Sequence, residues 1–311
     1  MPRAIRYRQL PTEQSHPQSV SLDRLSTLQL LQLMHREDQQ AVRAVGRQLA
    51  QVAKAIALIE ASLRHRGRLI FVGAGTSGRL GVIEAAECPP TFRTTPSQVQ
   101  AIMAGGPRAV LRSREGAEDA RASTQAMARR RIRAGDAVVG ITASGVTPFV
   151  DAALRAATRR GAATILVTCH ARAPIPADVR IAVVVGPELL AGSTRLKAGT
   201  ATKLILNMLT LGAMARLGKT YGSLMVDVRP TSRKLTARAI AIIQLVTHVS
   251  PRVAAARLRA ARGNVKAAIV MASHHVSLVA ARRRLSHAHG SLRKALSSQP
   301  LNHSITQSLN H

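Results

Sequence analysis

Aromatic side chains are nearly missing from this chain, which has no tryptophan, two tyrosines and three phenylalanines in 311 residues. Its core must be built from Ala, Leu, Val and Ile, which the ordinary apolar content of 46% allows. The same scarcity removes the stacking platform that single-stranded nucleic acid requires. Cysteine is scarce too. Cys88 and Cys169 are the only two, far apart and in no CxxC pattern, so no disulfide framework is indicated. Two reduced thiols suit a reducing compartment, and a cytoplasmic location is expected. No apolar run reaches the ~18 residues of a membrane span, and Ala239–Val246 reads as a core helix. No apolar h-region precedes Pro11, so no signal peptide and no membrane association are expected. Acidic residues are few: 15 Asp and Glu stand against 45 Lys and Arg, a formal charge of +30. Such an excess favours an anionic partner, whether nucleic acid, membrane surface or phosphorylated small molecule. The arginines are dispersed over predicted helices, as in Arg129-Arg130-Arg131 and Arg282-Arg283-Arg284, so no specific nucleic-acid site is expected.

What the chain does have is a strand-to-helix junction rich in glycine and hydroxyls. Arg68–Gly73 is a short apolar run, the mark of a buried strand. Gly73, Gly75, Thr76, Ser77 and Gly78 follow, then a helical pattern that carries Glu84 and Glu87 and is expected to stop at Pro89-Pro90. The turn offers free backbone N–H groups, hydroxyls and a helix N-terminus to an anion. A carboxylate about two turns along the same helix suits acid–base chemistry on a phosphorylated small molecule.

Strand and helix alternate through the centre. Strands are expected at 68–73, 98–103, 137–142, 163–168 and 181–186, with helices at 78–87, 116–131 and 148–160. This pattern predicts an α/β fold, a parallel sheet with helices on both faces. Helices are also expected over 26–35 and 38–65, the second from the alternating four- and three-residue steps of Val45, Leu49, Val52, Ile56, Ile59 and Leu63, with Gly67 as its cap. Two further loops resemble the first in kind. Ile141-Thr-Ala-Ser-Gly-Val-Thr-Pro148 carries Ser144 and Thr147, and Gly192-Ser-Thr194 precedes a long helix that includes Lys197. Three such loops at strand-to-helix junctions of one sheet point to a ligand, since ligands bind at the carboxyl ends of parallel strands. Three ordinary N-caps are the alternative. Beyond Gly222 the strand signal ends, and short helices follow from Ser250, Asn264 and 277–288. The histidines there, His274-His275 and His287-Ala-His289, lack accompanying carboxylates or thiolates, so no metal site is expected.

These segments resemble the N-acetylmuramic acid 6-phosphate etherases, bacterial lyases with a sugar isomerase (SIS) domain. The resemblance spans roughly residues 12–296. It rests on Thr12-Glu13, Leu22-Asp-Arg-Leu-Ser-Thr27, Gly73-Ala-Gly-Thr-Ser-Gly-Arg-Leu80, Glu87-Cys-Pro-Pro-Thr91, Ala104-Gly-Gly106, Glu115-Gly-Ala-Glu-Asp119, Gly192-Ser-Thr-Arg-Leu-Lys-Ala-Gly-Thr200 and Leu224-Met-Val-Asp227. The chain departs from the family at Ser15-His16-Pro17, where Arg-Asn-Pro is usual, at Val146, where Arg is frequent, and at Pro230-Thr-Ser232. Residues 1–20, polar with Pro2, Pro11 and Pro17, read as an extended arm, 223–297 as a small helical domain and 298–311 as a disordered tail; the resemblance makes 21–222 a SIS domain with its N-terminal helices.

The reaction it implies is loss of D-lactate from C3 of a sugar 6-phosphate, followed by addition of water, with no metal or organic cofactor. By resemblance Glu87 is the acid and Glu118 the base, and a homodimer is implied. The residues alone do not rank Glu118 above Glu115 or Asp119. Glu84 reads as a surface carboxylate paired with an arginine. Thr76, Ser77, Ser144, Thr147 and Ser193 are the candidate phosphate contacts, with Lys197 as a charge partner. Two rivals remain. An isomerase on the same domain would need a base but no acid aimed at C3. A sugar-phosphate sensor could dispense with both glutamates.

Overall fold

Leu69–Gly73 (β1) is buried at every residue, as a strand covered on both faces must be. It lies inside a five-stranded sheet of order β2-β1-β3-β4-β5, with β2 at Val99–Met103, β3 at Ala137–Thr142, β4 at Ala163–Thr168 and β5 at Val179–Ala182. All four pairings are parallel. The computed structural model describes Arg8 and residues 10–119 and 132–297. The expected helix over 116–131 therefore lies mostly outside the described residues; within them, Ala117–Asp119 makes one 3-10 turn. The expected tail over 298–311 also lies outside them.

The first two helices divide differently from expectation. Helix α1 runs over Thr27–Gly46, opened by a reciprocal Ser26–Gln29 capping box, and α2 covers Leu49–Arg64. The break falls at Gly46, a poor helix former, and the expected apolar stripe is interrupted there: Val45 and Val52 are buried but Leu49 is 52% exposed. Gly67 is not the left-handed residue after α2; Arg66 takes that role with φ 65°. Gly67 is needed for space, since a Cβ there would sit 2.1 Å from the Gly135 carbonyl oxygen.

Helix α3 runs over Gly75–Phe92 and contains Pro89 and Pro90 instead of stopping before them. Proline's fixed φ is helical, and the bonds it removes fall in the last turns. Arg93, left-handed, ends the helix by donating its N–H to the Pro89 carbonyl. A short α4 covers Arg108–Leu111, α5 Pro148–Thr158 and α6 Lys197–Arg216. Strand β5 starts and ends earlier than the expected 181–186. After Ala182 one ladder bond remains, Val183 N–H to the Thr168 carbonyl, before the chain turns away.

The chain divides into two compact units, Met1–Arg216 and Leu217–His311. The second is helical: α7 Arg233–Thr247, α8 Pro251–Ala260, α9 Val265–His274, α10 Leu278–His287 and α11 Leu292–Ser297. Ser232, Ser250, Asn264 and Ser277 each cap their helix through the side chain. Its core joins Val226, Ile243, Leu258, Ile269 and Leu292, all aliphatic as the composition required. Among the described residues no single helix is long and apolar enough to cross a membrane.

Candidate active site

Strand β1 connects to β2 on one side of itself and is flanked by β3 on the other. The loops leaving β1 and β3 thus diverge, which opens a crevice at the carboxyl ends of these two strands. Gly73 pairs with Ile141 in register, so the loops 73–77 and 142–147 begin side by side. The first loop closes tightly. A Cβ on Gly78 would lie 2.6 Å from the Gly73 oxygen, and one on Gly73 would lie 2.7 Å from the Gly78 nitrogen. Only glycine allows this approach at both positions.

Capping geometry separates a ligand site from ordinary helix starts. Ala74 precedes α3 and supplies no side-chain cap. Among the described residues the Thr76 and Ser77 hydroxyls have no protein partner. Thr147 precedes α5 and does not cap it. Its hydroxyl instead lies 2.8 Å from the Thr142 hydroxyl, which also receives the Gly145 N–H at 3.1 Å. The Ser144 hydroxyl lies 3.3 Å from the same oxygen, and the His170 Nδ1 is 3.0 Å from the Ser144 carbonyl. Two helix N-termini therefore lie at one crevice with their first-turn N–H groups free of side-chain caps.

The third loop is different. The first N–H groups of α6, on Lys197 and Ala198, donate to the two carboxylate oxygens of Glu188 at 3.0 and 2.9 Å. That helix end already holds an anion. Glu188 is almost wholly buried. Burial raises its carboxyl above the usual range, against the opposing pull of the two N–H groups. The folded protein thus binds this proton more tightly than the unfolded chain, and stability falls as pH rises from about 4.5 through the raised value. Melting temperatures measured across that window should fall less steeply in Glu188→Gln than in the parent protein.

Lys197 is a correction to the sequence reading. Its ammonium is buried, 2% exposed, and committed to an ion pair with buried Glu37. The His16 Nε2 lies 3.2 Å from the same carboxylate. The N-terminal arm is fastened by this cluster and by the Gly192 N–H, which donates to the Thr12 carbonyl at 3.0 Å. Gly199, in the first turn of α6, faces the Thr76 methyl, which a Cβ there would meet at 3.7 Å. Ser193 is half-buried in this neighbourhood, with its hydroxyl unbonded among the described residues.

Glu118 and Glu87 are placed differently. Glu118 lines a cleft of about 180 Å³ with Gly75, Arg79, Ala104, Arg114 and Glu115. Arg79 ties α3 to α4, donating to the Val110 and Ala109 carbonyls at 2.9 Å each. The base candidate and the free first turn of α3 thus share one cleft. Glu87 lies outside it, exposed and about 18 Å further along α3 from Gly75, a longer reach than expected because the helix starts early. Glu84 is the other correction. It is buried, not a surface group, and it accepts from Lys203 at 2.9 Å and from the Thr210 hydroxyl. Cys88, beside both glutamates, has its thiol pushed up to about 12, by burial first and then by their charges. Among the described residues no three His, Cys, Asp or Glu side chains gather as a metal site.

The parallel sheet, with two uncapped helix starts at its switch point, has the α/β fold of a SIS domain. Residues 51–158 match the family described as the glucokinase regulatory protein N-terminal SIS domain. A phosphoheptose isomerase structure from Francisella tularensis aligns over 61% of this chain and all of its own, at 17% identity and a TM-score of 0.48. The chain is 50% identical over 294 residues to the N-acetylmuramic acid 6-phosphate etherase of Synechocystis sp., covering 94% of this chain and 96% of that one. It is 53% identical over 265 residues to the etherase of Gloeobacter violaceus, covering 84% of this chain and 87% of that protein. The chain belongs to the N-acetylmuramic acid 6-phosphate etherase family.

Proposed function

We propose that this site removes D-lactate from N-acetylmuramic acid 6-phosphate in two half-reactions, with Glu118 as base and Glu87 as acid. In the open-chain sugar the C1 aldehyde acidifies the C2 proton. Glu118 takes that proton first; the C3–O bond then breaks, and Glu87 protonates the departing ether oxygen. The electron pair from C2–H becomes the C2=C3 double bond, conjugated with the aldehyde. Water then adds its oxygen to C3 and a proton returns to C2, giving N-acetylglucosamine 6-phosphate. Two positioned carboxyls suffice for every proton transfer. One observation carries the reading: Glu118 shares a cleft with the uncapped first turn of α3.

The phosphate is assigned to Thr76, Ser77, Ser144 and Thr147, with Ser193 at the border of this group. Both helix starts favour an anion there. Lys197 is left out, since Glu37 already holds its ammonium. Glu87 is exposed in the single chain, and the neighbouring large apolar side chains Ile83 and Leu211 are 46% and 55% exposed. A homodimer that covers this face would bury Glu87 together with these apolar side chains. A cytoplasmic setting suits the two free, buried cysteines.

The test compares Ser77→Ala and Ser144→Ala for sugar-phosphate affinity and for melting temperature. Loss of a charge-assisted contact should weaken binding by roughly 1.5–3 kcal/mol with little change in stability. A ligand without the 6-phosphate should bind both variants as it binds the parent. Unchanged affinity with a lower melting temperature would make these hydroxyls structural and move the cradle elsewhere.

A further inference from the structure

We propose that Lys203 binds the free carboxylate on the substrate's C3 ether, beside Glu87, and so selects a carboxylic-acid-bearing sugar phosphate over the same sugar without it. The inference rests on the reaction proposed above, and it concerns a part of the substrate that neither the phosphate cradle nor the two glutamates recognise.

The etherase substrate carries two anionic groups. The phosphate has its helix N-termini; the carboxylate needs a cation close to the acid that protonates the adjoining ether oxygen. Helices α3 and α6 pack together and provide one. Lys203 projects from α6 to the Glu84 carboxylate on α3, which stands one turn before Glu87. Glu84 is itself fixed, since its second oxygen accepts from the Thr210 hydroxyl. The Asn207 side-chain oxygen takes a further Lys203 proton. An ammonium has three donors, and among the described residues the third has no acceptor. The Lys203 side chain is 38% exposed, whereas that of Glu84 is 7% exposed, so the carboxylate is sealed while the lysine side chain reaches solvent. Glu84 and Glu87 stand three residues apart on α3 and are neighbours on its surface. The Lys203 ammonium, held on Glu84, therefore lies about one turn of α3 from the acid. Glu84 and Thr210 are then positioning residues, holding a flexible lysine in one direction.

Three binding measurements on the full chain test this, and none needs turnover. The ligands are N-acetylmuramic acid 6-phosphate, its methylamide at the lactyl carboxyl, and N-acetylglucosamine 6-phosphate, which lacks the lactyl group. The parent protein should prefer the acid to the methylamide. Lys203→Met should weaken the acid by about 10- to 150-fold, the worth of one charge-assisted contact. It should leave N-acetylglucosamine 6-phosphate within about twofold and abolish the preference for acid over amide. Because Lys203→Met leaves Glu84 buried without its cation, the double variant Glu84→Gln/Lys203→Gln removes both charges, and the same loss of preference is expected there. Lys203→Arg should retain most of the preference. An acid-over-amide preference that survives in either lysine-to-neutral variant would overturn the assignment. So would an equal loss for all three ligands. Failure of the proposed reaction would show separately, as absence of lactate release by the parent protein.

Discussion

Glu118→Gln is expected to stop exchange of the substrate's C2 proton with solvent and to lower lactate release by about 10²–10⁴-fold, the usual worth of a positioned base. Glu87→Gln should cut lactate release over the same range, yet C2 exchange should continue, because abstraction at C2 precedes any need for the leaving-group acid. The two variants therefore divide the reaction. Proton NMR in heavy water reads exchange at C2, and a lactate dehydrogenase assay reads release. The placement of Glu118 in the cleft at the start of α3 supports its role. Full exchange in the Glu118 variant would remove that assignment, and Glu115, which lines the same cleft, would be examined next.

Lys197→Met should destabilise the protein by about 3–5 kcal/mol, the cost of leaving a buried carboxylate without its cation. Glu37 is only 4% exposed and accepts from Gln40 as well. Of its partners among the described residues, only Gln40 and the His16 ring would remain beside it. Denaturant unfolding should show a lower midpoint with an unchanged slope. If Lys197 instead met the phosphate, the variant would lose sugar-phosphate affinity and keep its stability. The double change Glu37→Gln/Lys197→Met removes both charges and should recover much of the loss.

Much of this architecture was legible in the sequence because it follows from local rules. The strands 137–142 and 163–168 were apolar runs between turn residues, and they fold over those residues. The α/β order followed from alternation alone. The loops at Thr76 and Ser144 stood out because hydroxyls and glycines cluster there. What remained hidden depends on contacts far apart in the chain. Nothing beside Lys197 in sequence announces Glu37, 160 residues away. Glu188 gives no local sign that it will fill the N-terminus of α6 and so set the third loop apart from the other two. Glu84 read as a surface group because its helix was assigned without its partner, α6. Proline usually marks a helix end, and here Pro89 and Pro90 lie inside the last turns, which only the left-handed Arg93 closes. The division of labour between Glu87 and Glu118 came from the family resemblance, since spacing alone left Glu115 and Asp119 as equals.

The central claim is that lactate leaves by elimination and that water then adds to the sugar. Incubating the purified protein with N-acetylmuramic acid 6-phosphate in ¹⁸O-labelled heavy water, and weighing both products, tests it in one measurement. The account predicts D-lactate without label in its hydroxyl oxygen. It also predicts N-acetylglucosamine 6-phosphate with one ¹⁸O at C3 and one deuterium at C2. Label in the lactate hydroxyl, an unlabelled C2, or no lactate from folded, substrate-binding protein would contradict it.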